Sequence, residues 1–173
     1  MISDNRIIIS LVLAMIFVLV LSNILVQIPI NEWLTYGAFT YPMIFLITDI
    51  CNRKFGPEKS KKLVYVGFII AVILSIYFAN IRIAFASGLA FLFSQLLDIY
   101  IFNKFKNRVW WFPPLISSSF ASLLDSLVFF GVAFSFLSLP WVTWALGDFF
   151  VKIFMAIMLL LPYRLYLRKV LII

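Results

Sequence analysis

Six times along this chain an apolar run lasts about as long as a helix needs to cross a bilayer, roughly 20 residues. The runs lie near 7–30, 36–51, 63–79, 83–102, 115–139 and 145–163, the second and third being the shortest. No other feature limits the fold so severely. Hydrocarbon offers no hydrogen bonds, so an open strand would leave its backbone unsatisfied there, and each run is read as a helix. The first run is too long for a signal peptide and lacks a small-x-small cleavage site, so it is read as a retained helix. The expected fold is an all-α integral membrane protein with six transmembrane helices in a single domain over 1–173.

Composition agrees and excludes several classes. Of 173 residues 65% are apolar and 12% charged, where a soluble domain carries about a quarter charged residues. Histidine is absent and Cys51 is the one cysteine. That rules out an internal disulfide and argues against a zinc site or any other metal or cofactor.

The net charge of +7 would suggest nucleic acid in a soluble protein, but no basic stripe lies on a soluble surface. The basic residues instead mark topology. "NRKFGPEKSKK" (52–62), "NKFKNR" (103–108), Arg6 and the Arg164–Lys169 end hold twelve of the fourteen Lys and Arg residues. The alternate connections "NEWLTYG" (31–37) and "PWVTW" (140–144) hold none. Basic loops stay in the cytoplasm, so both termini are expected there. Trp33, Tyr36, Trp141 and Trp144 on the outer side, and Trp110 and Trp111 on the inner, suit interfacial anchors. Pro113-Pro114 stops a helix from running through the inner connection.

Asp49, Asp98, Asp125, Asp148 and Lys152 remain inside the apolar runs, with Arg82 at an outer mouth. A charge at the centre of a spanning helix costs at least ~2.5 kcal/mol, so these groups cannot face lipid. Helical spacing gathers them on stripes. Ser87, Phe91, Gln95, Asp98 and Phe102 share one face; Ser118, Ser122, Asp125 and Phe129 share another; so do Tyr41, Phe45 and Asp49, and Asn23 and Gln27. Asp148 and Lys152, four apart, can pair directly. Asp125 has no positive neighbour on its own face. The plainer readings are a structural Asp148–Lys152 pair, Asp49 and Asp98 meeting the basic loops, and serines that permit close helix packing. They explain each residue singly but not why five helices contribute polar groups together. Polar groups alternating with aromatics suit a flat, hydrogen-bonding ring in a shared cavity, stacked on Phe45, Phe91, Phe129 or Trp33.

The ordered set "SNILVQIPI" (22–30), "YGAFTYPMIFLITDICNRKFG" (36–56), "RIAFAS" (82–87), "SQLLDIYIFNKFK" (94–106), "RVWWFPP" (108–114), "SSSFASLLDSLVFFGVAF" (117–134) and "GDFFVKIFMAIMLLLP" (147–162) resembles the queuosine precursor transporters of the vitamin uptake transporter family. The resemblance implies a six-helix inner-membrane importer of 7-deazaguanine precursors of a tRNA nucleoside. It also implies a fold similar to the substrate-binding components of energy-coupling-factor transporters. The matching motif positions are Asn23, Asp49, Arg82, Gln95, Asp98, Asp125, Asp148 and Lys152. The connection "ANIR" (79–82) is shorter than the family pattern, which argues against an outer lid there.

A deazaguanine presents N1–H and its 2-amino group as adjacent donors, which one carboxylate can accept together. Asp98 or Asp125 is expected to take that edge, with Arg82 or Lys152 pairing the idle carboxylate; O6 suits Gln95, Asn23 or a cation. Asp125→Asn is expected to impair uptake while leaving the protein in the membrane.

No G-x-x-x-x-G-K loop occurs, so the chain itself drives nothing with ATP. Facilitated diffusion, proton coupling through a buried aspartate, and service to a separate ATP-driven energy-coupling module all fit the residues, as does a homodimer. An intramembrane Ser–Lys enzyme is the competing class. Ser117–Ser122 and Lys152 fall in opposite halves of the membrane, which disfavours it.

Overall fold

A computed structural model describes residues 2–31, 33–78 and 80–171; Glu32 and Ala79, assigned above to outer connections, lie outside the described residues. The elements are α1 (Ile2–Leu25), α2 (Gly37–Thr40), α3 (Pro42–Phe55), α4 (Pro57–Phe78), α5 (Ile81–Phe105), α6 (Phe112–Phe134) and α7 (Trp141–Leu171). Among the described residues, α1, α4, α5, α6 and α7 are long and apolar enough to cross a membrane. The second apolar run is broken into α2 and α3. Tyr41 between them keeps helical angles (φ −57°, ψ −39°), but Pro42 has no N–H for the carbonyl four residues back, so the ladder parts there.

Helix ends move from their expected places for identifiable reasons. α1 stops at Leu25, not near 30, because Pro29 disfavours helix in the residue before it. The chain then curls back through a Pro29–Thr35 bridge. Gln27 is thus off the helix, its Nε2 donating to the Asn23 carbonyl at 3.0 Å. α4 begins at Pro57, immediately after Gly56, whose φ of +83° turns the chain in a region closed to most side chains. α6 takes Pro113 and Pro114 into its first turn, where a missing N–H costs nothing. α7 starts at Trp141, so Trp141 and Trp144 sit on the helix and not in a connection.

The bundle is inside-out relative to a soluble protein. Large apolar side chains such as Leu13, Phe17, Phe85, Phe150 and Leu161 point outward, while Asn23, Asp49, Gln95, Asp98, Asp125, Asp148 and Lys152 are buried. α5 and α6 form the most extensive pair; α1 packs on α4, α4 on α5, α6 on α7, and α3 fits between α1 and α7 while also touching α4, α5 and α6. An apolar layer of Ile83, Phe130, Phe134 and Ala145 closes the end of the bundle at the α6–α7 connection. Phe102, Tyr163 and Leu167 close the opposite end. That end is basic: Arg53 donates through Nε to Tyr163 Oη and through Nη1 to the Lys106 carbonyl, each at 3.0 Å, and Arg164 stacks over Trp110. The polar side chains lie between these two apolar layers.

Candidate functional site

Two polar groupings occupy that middle zone. The first joins the α2–α3 junction to α5, α6 and α7 around Lys152. Its ammonium donates to Asp125 Oδ2 at 2.6 Å, to Asp148 Oδ2 at 2.5 Å and to Ser126 Oγ at 3.4 Å. Tyr41 Oη and Ser94 Oγ donate to Asp125 Oδ1 at 2.6 and 3.2 Å, and Ser126 Oγ donates to Asp148 Oδ2 at 2.7 Å. Lys152 also lies over the Tyr41 ring, 4.6 Å from its centroid. All three ammonium protons are used and both oxygens of Asp125 are engaged. Two charges at this depth survive because each is paired and hydrogen-bonded. The positive neighbour that Asp125 lacks on its own face comes from α7. Lys152 touches a serine, Ser126, as the donor of the contact.

The second grouping lies nearer the basic end, on α3, α5 and α6. Asp49 and Asp98 face each other with Ser117 and Ser118 beside them. Both Asp98 oxygens, Asp49 Oδ1, Gln95 Nε2 and Ser122 Oγ are enclosed without a well-formed hydrogen bond, although the Ser117 and Ser118 hydroxyls lie beside the two carboxyls, which can share one proton between them. Gln95 reaches Thr48 Oγ1 through its amide oxygen, so its nitrogen is left pointing at nothing; reversing the amide would strand the oxygen instead. Buried polar atoms in native proteins are paired in the great majority of cases, and orphans of this kind ask for an explanation.

The stripes read from helical spacing face inward: Ser87, Phe91, Gln95, Asp98 and Phe102 are all buried, as are Ser118, Ser122, Asp125 and Phe129, and Tyr41, Phe45 and Asp49. Asn23 is buried too, donating to Ser75 Oγ at 2.6 Å. Arg82 stands apart. It is exposed on the first turn of α5 and packs over Phe134, 5.7 Å from the ring centroid, so Lys152 and not Arg82 meets the carboxylates. Of the four expected stacking rings, Phe45 and Phe129 line interior clefts, Phe91 is already stacked on Phe68, and Trp33 is 55% exposed. Tyr41, Ser94, Thr48 and Ser126 were not singled out as partners of these charges. Tyr41 and Ser94 lie one turn from Phe45 and Asp98 on the same faces, the signal by which they could have been found.

Three of the cavities among the described residues concern these side chains. A cleft near the basic end, about 320 Å³ with its mouth, is lined by Phe45, Asp49, Pro114, Ser118, Lys152 and Tyr163 among others. A central cleft of similar size is lined by Asn23, Tyr41, Ser87, Asp125, Phe129 and Lys152 among others. Lys152 is the residue the two share, so its cluster forms the wall between them. Both are narrow, with room for water-sized groups. A vestibule of about 710 Å³ opens at the end away from the basic loops and shares Val26 with the central cleft. Among the described residues no group of three or more His, Cys, Asp and Glu side chains could hold a metal ion.

Known proteins similar to this chain were found by sequence. The family model described as "Putative vitamin uptake transporter" matches residues 35–81 and 74–166. A Haemophilus influenzae protein named "Probable queuosine precursor transporter" is 32% identical over 188 residues, covering 85% of this chain and 80% of that one. The Escherichia coli "Queuosine precursor transporter" is 32% identical over 170 residues, covering 82% and 77%. A Bacillus subtilis protein named "Probable queuosine precursor transporter" is 29% identical over 128 residues, covering 58% and 56%. No solved structure matches the chain. With most of its length matched by the family model and by relatives at nearly a third identity, this multi-pass membrane protein belongs to the vitamin uptake transporter family, alongside proteins named for the transport of queuosine precursors.

Proposed function

We propose that this chain imports 7-deazaguanine precursors of queuosine across the inner membrane, and that Asp98, Asp49 and Gln95 read the ring. The observation that carries this reading is the set of orphaned atoms near the basic end: carboxylate oxygens on Asp98 and Asp49, and an amide N–H pair on Gln95. The substrate's edge is their complement. N1–H and the 2-amino group donate side by side, as a carboxylate requires, and O6 accepts, as Gln95 Nε2 requires. Of the two carboxylates suggested by the sequence for that edge, Asp125 already spends both oxygens on Tyr41, Ser94 and Lys152, which favours Asp98. Phe45 in the adjoining cleft offers the ring a face. The clefts' narrowness suits a carrier that encloses its cargo and must open for it to pass.

In this reading α2 and α3 together make the sixth crossing, since residues 37–55 span about 28 Å at the rise of a helix. The basic end and both termini face the cytoplasm. The relatives' names support the substrate class. The test uses cells unable to make queuosine: the chain should restore queuosine to tRNA when 7-cyano- or 7-aminomethyl-7-deazaguanine is supplied at low concentration. Queuosine levels equal with and without the chain would refute the proposal. With uptake in hand, a ring lacking the 2-amino group should compete poorly against the parent, and equal competition would remove Asp98 and Asp49 from the donor edge.

A further inference from the structure

The vestibule at the end away from the basic loops holds a second set of orphaned polar atoms, separate from the interior ones. Thr35, in the strap between α1 and α2, is 6% exposed and its Oγ1 has no partner. The indole Nε1–H of Trp144, on the first turn of α7, is likewise enclosed and unpartnered. Both line the same cavity with Arg82, Gln27, Asn80 and the ring of Phe134. Asn80 spends its Oδ1 capping α5 through the Ile83 N–H at 2.9 Å, so its amide donors are what remain. Phe134 and Trp144 meet edge to face, centroids 5.3 Å apart, and give the cavity a rigid aromatic wall.

Among the described residues the polarity of this cavity leans towards donors, with the Gln27 amide oxygen left as an acceptor because its Nε2 is bonded to the Asn23 carbonyl. Arginine and the indole nitrogen can only donate, a threonine hydroxyl can donate, and the described lining contains no carboxylate. The interior site has the opposite balance, carboxylate oxygens outnumbering its one amide donor. A 7-cyano-7-deazaguanine carries both complements on different edges: donors at N1 and the 2-amino group, acceptors at O6 and the 7-substituent. The geometry points to the vestibule as a first binding site that holds the planar substrate by its O6 and 7-substituent acceptor edge. Thr35, Trp144 and Arg82 supply the donors, before the ring moves inward past Val26. This inference rests on the proposed substrate class and adds a site to it.

The test compares wild-type chain with Thr35→Val and Trp144→Phe, singly and together; the first keeps shape while removing a hydroxyl, and the second removes the N–H while trimming the indole to a phenyl ring. Initial uptake of 7-cyano-7-deazaguanine is measured alongside its equilibrium binding to the purified full chain in lipid nanodiscs. The expected result is a KM raised about tenfold in the double variant, two neutral hydrogen bonds lost, with Vmax within twofold. The wild-type preference for this probe over its 6-thioxo analogue, which keeps N1–H and replaces O6 with a weaker acceptor, should shrink in the same variant. Unchanged KM and unchanged O6 preference would overturn the vestibule site and leave the interior reading standing. If wild-type cells show no uptake at all, the import reading fails. The vestibule is then judged on binding alone: loss in the double variant supports it, and binding that is absent or unaltered overturns it. Thermal unfolding of each variant, expected within a few degrees of wild type, separates a lost contact from a misfolded chain.

Discussion

The Lys152 cluster and the Asp98 region are both buried, both acidic and within a few helical turns of each other, yet the hydrogen bonds of one are satisfied and those of the other are not. Around Lys152 every oxygen of Asp125 and every ammonium proton has a partner. Around Asp98 the carboxylate oxygens and the Gln95 nitrogen have no well-formed hydrogen bond. Burial alone therefore does not mark a binding group. A satisfied ionic network holds four helices in register and walls off two clefts, whereas orphaned atoms keep hydrogen-bonding capacity for something that arrives later.

The largest effect should come from breaking the satisfied region. Lys152→Met leaves Asp125 and Asp148 buried without their cation, and removing one partner of a buried pair costs about 3–5 kcal/mol. The variant should be poorly recovered from membranes and unfold far below wild type in a thermal assay. Adding Asp125→Asn and Asp148→Asn should restore much of that loss; no restoration would mean the three do not act as one network. Asp125→Asn alone, expected from sequence to impair uptake only, should also lower stability.

The unsatisfied region should behave in the reverse way. Asp98→Asn should cut uptake of the deazaguanine about tenfold to a hundredfold, the scale of a lost charge-assisted contact, with thermal stability at or above wild type. A marked drop in stability with uptake per folded molecule unchanged would dissolve the distinction between the regions. Tyr41→Phe removes the hydroxyl donor to Asp125 and should destabilise by roughly 1–2 kcal/mol, again read by thermal unfolding. The smallest effect is reserved for Gln95→Met. It removes one neutral donor and should weaken uptake roughly fivefold, with little change in stability. Equal fivefold losses for substrate and for an analogue lacking O6 would show that Gln95 does not meet that atom.

A close approach elsewhere shows how tightly the strap bearing Thr35 is held. A Cβ on Gly147 would lie 2.2 Å from the Trp33 carbonyl oxygen, and one on Gly37 would lie 2.9 Å from Val26 Cβ. The first contact joins the strap between α1 and α2 to α7, and the second packs α2 against the start of that strap. Nothing in the sequence marks those two glycines over the other four.

Much of the helical pattern was legible. Apolar runs located α1 and α4–α7, and spacing of three and four turned Asp98, Asp125 and Asp49 into the bundle interior. Proline explains where reading by hydropathy alone misjudged the ends, at Pro29, Pro42 and Pro57. Arg82, read at an outer mouth and carried to the site by the family resemblance, sits on the first turn of α5 in the vestibule and away from the buried carboxylates.

By itself the chain determined its solvent and its polarity, since apolar runs of bilayer length allow only helices and buried charges must turn inward. Which charges meet was decided only in three dimensions. Lys152 lies 27 positions from Asp125 and the Tyr41 hydroxyl 84 from it, distances across which periodicity carries no information. Helix packing alone selects those partners, and by pairing some groups it leaves the others unpaired.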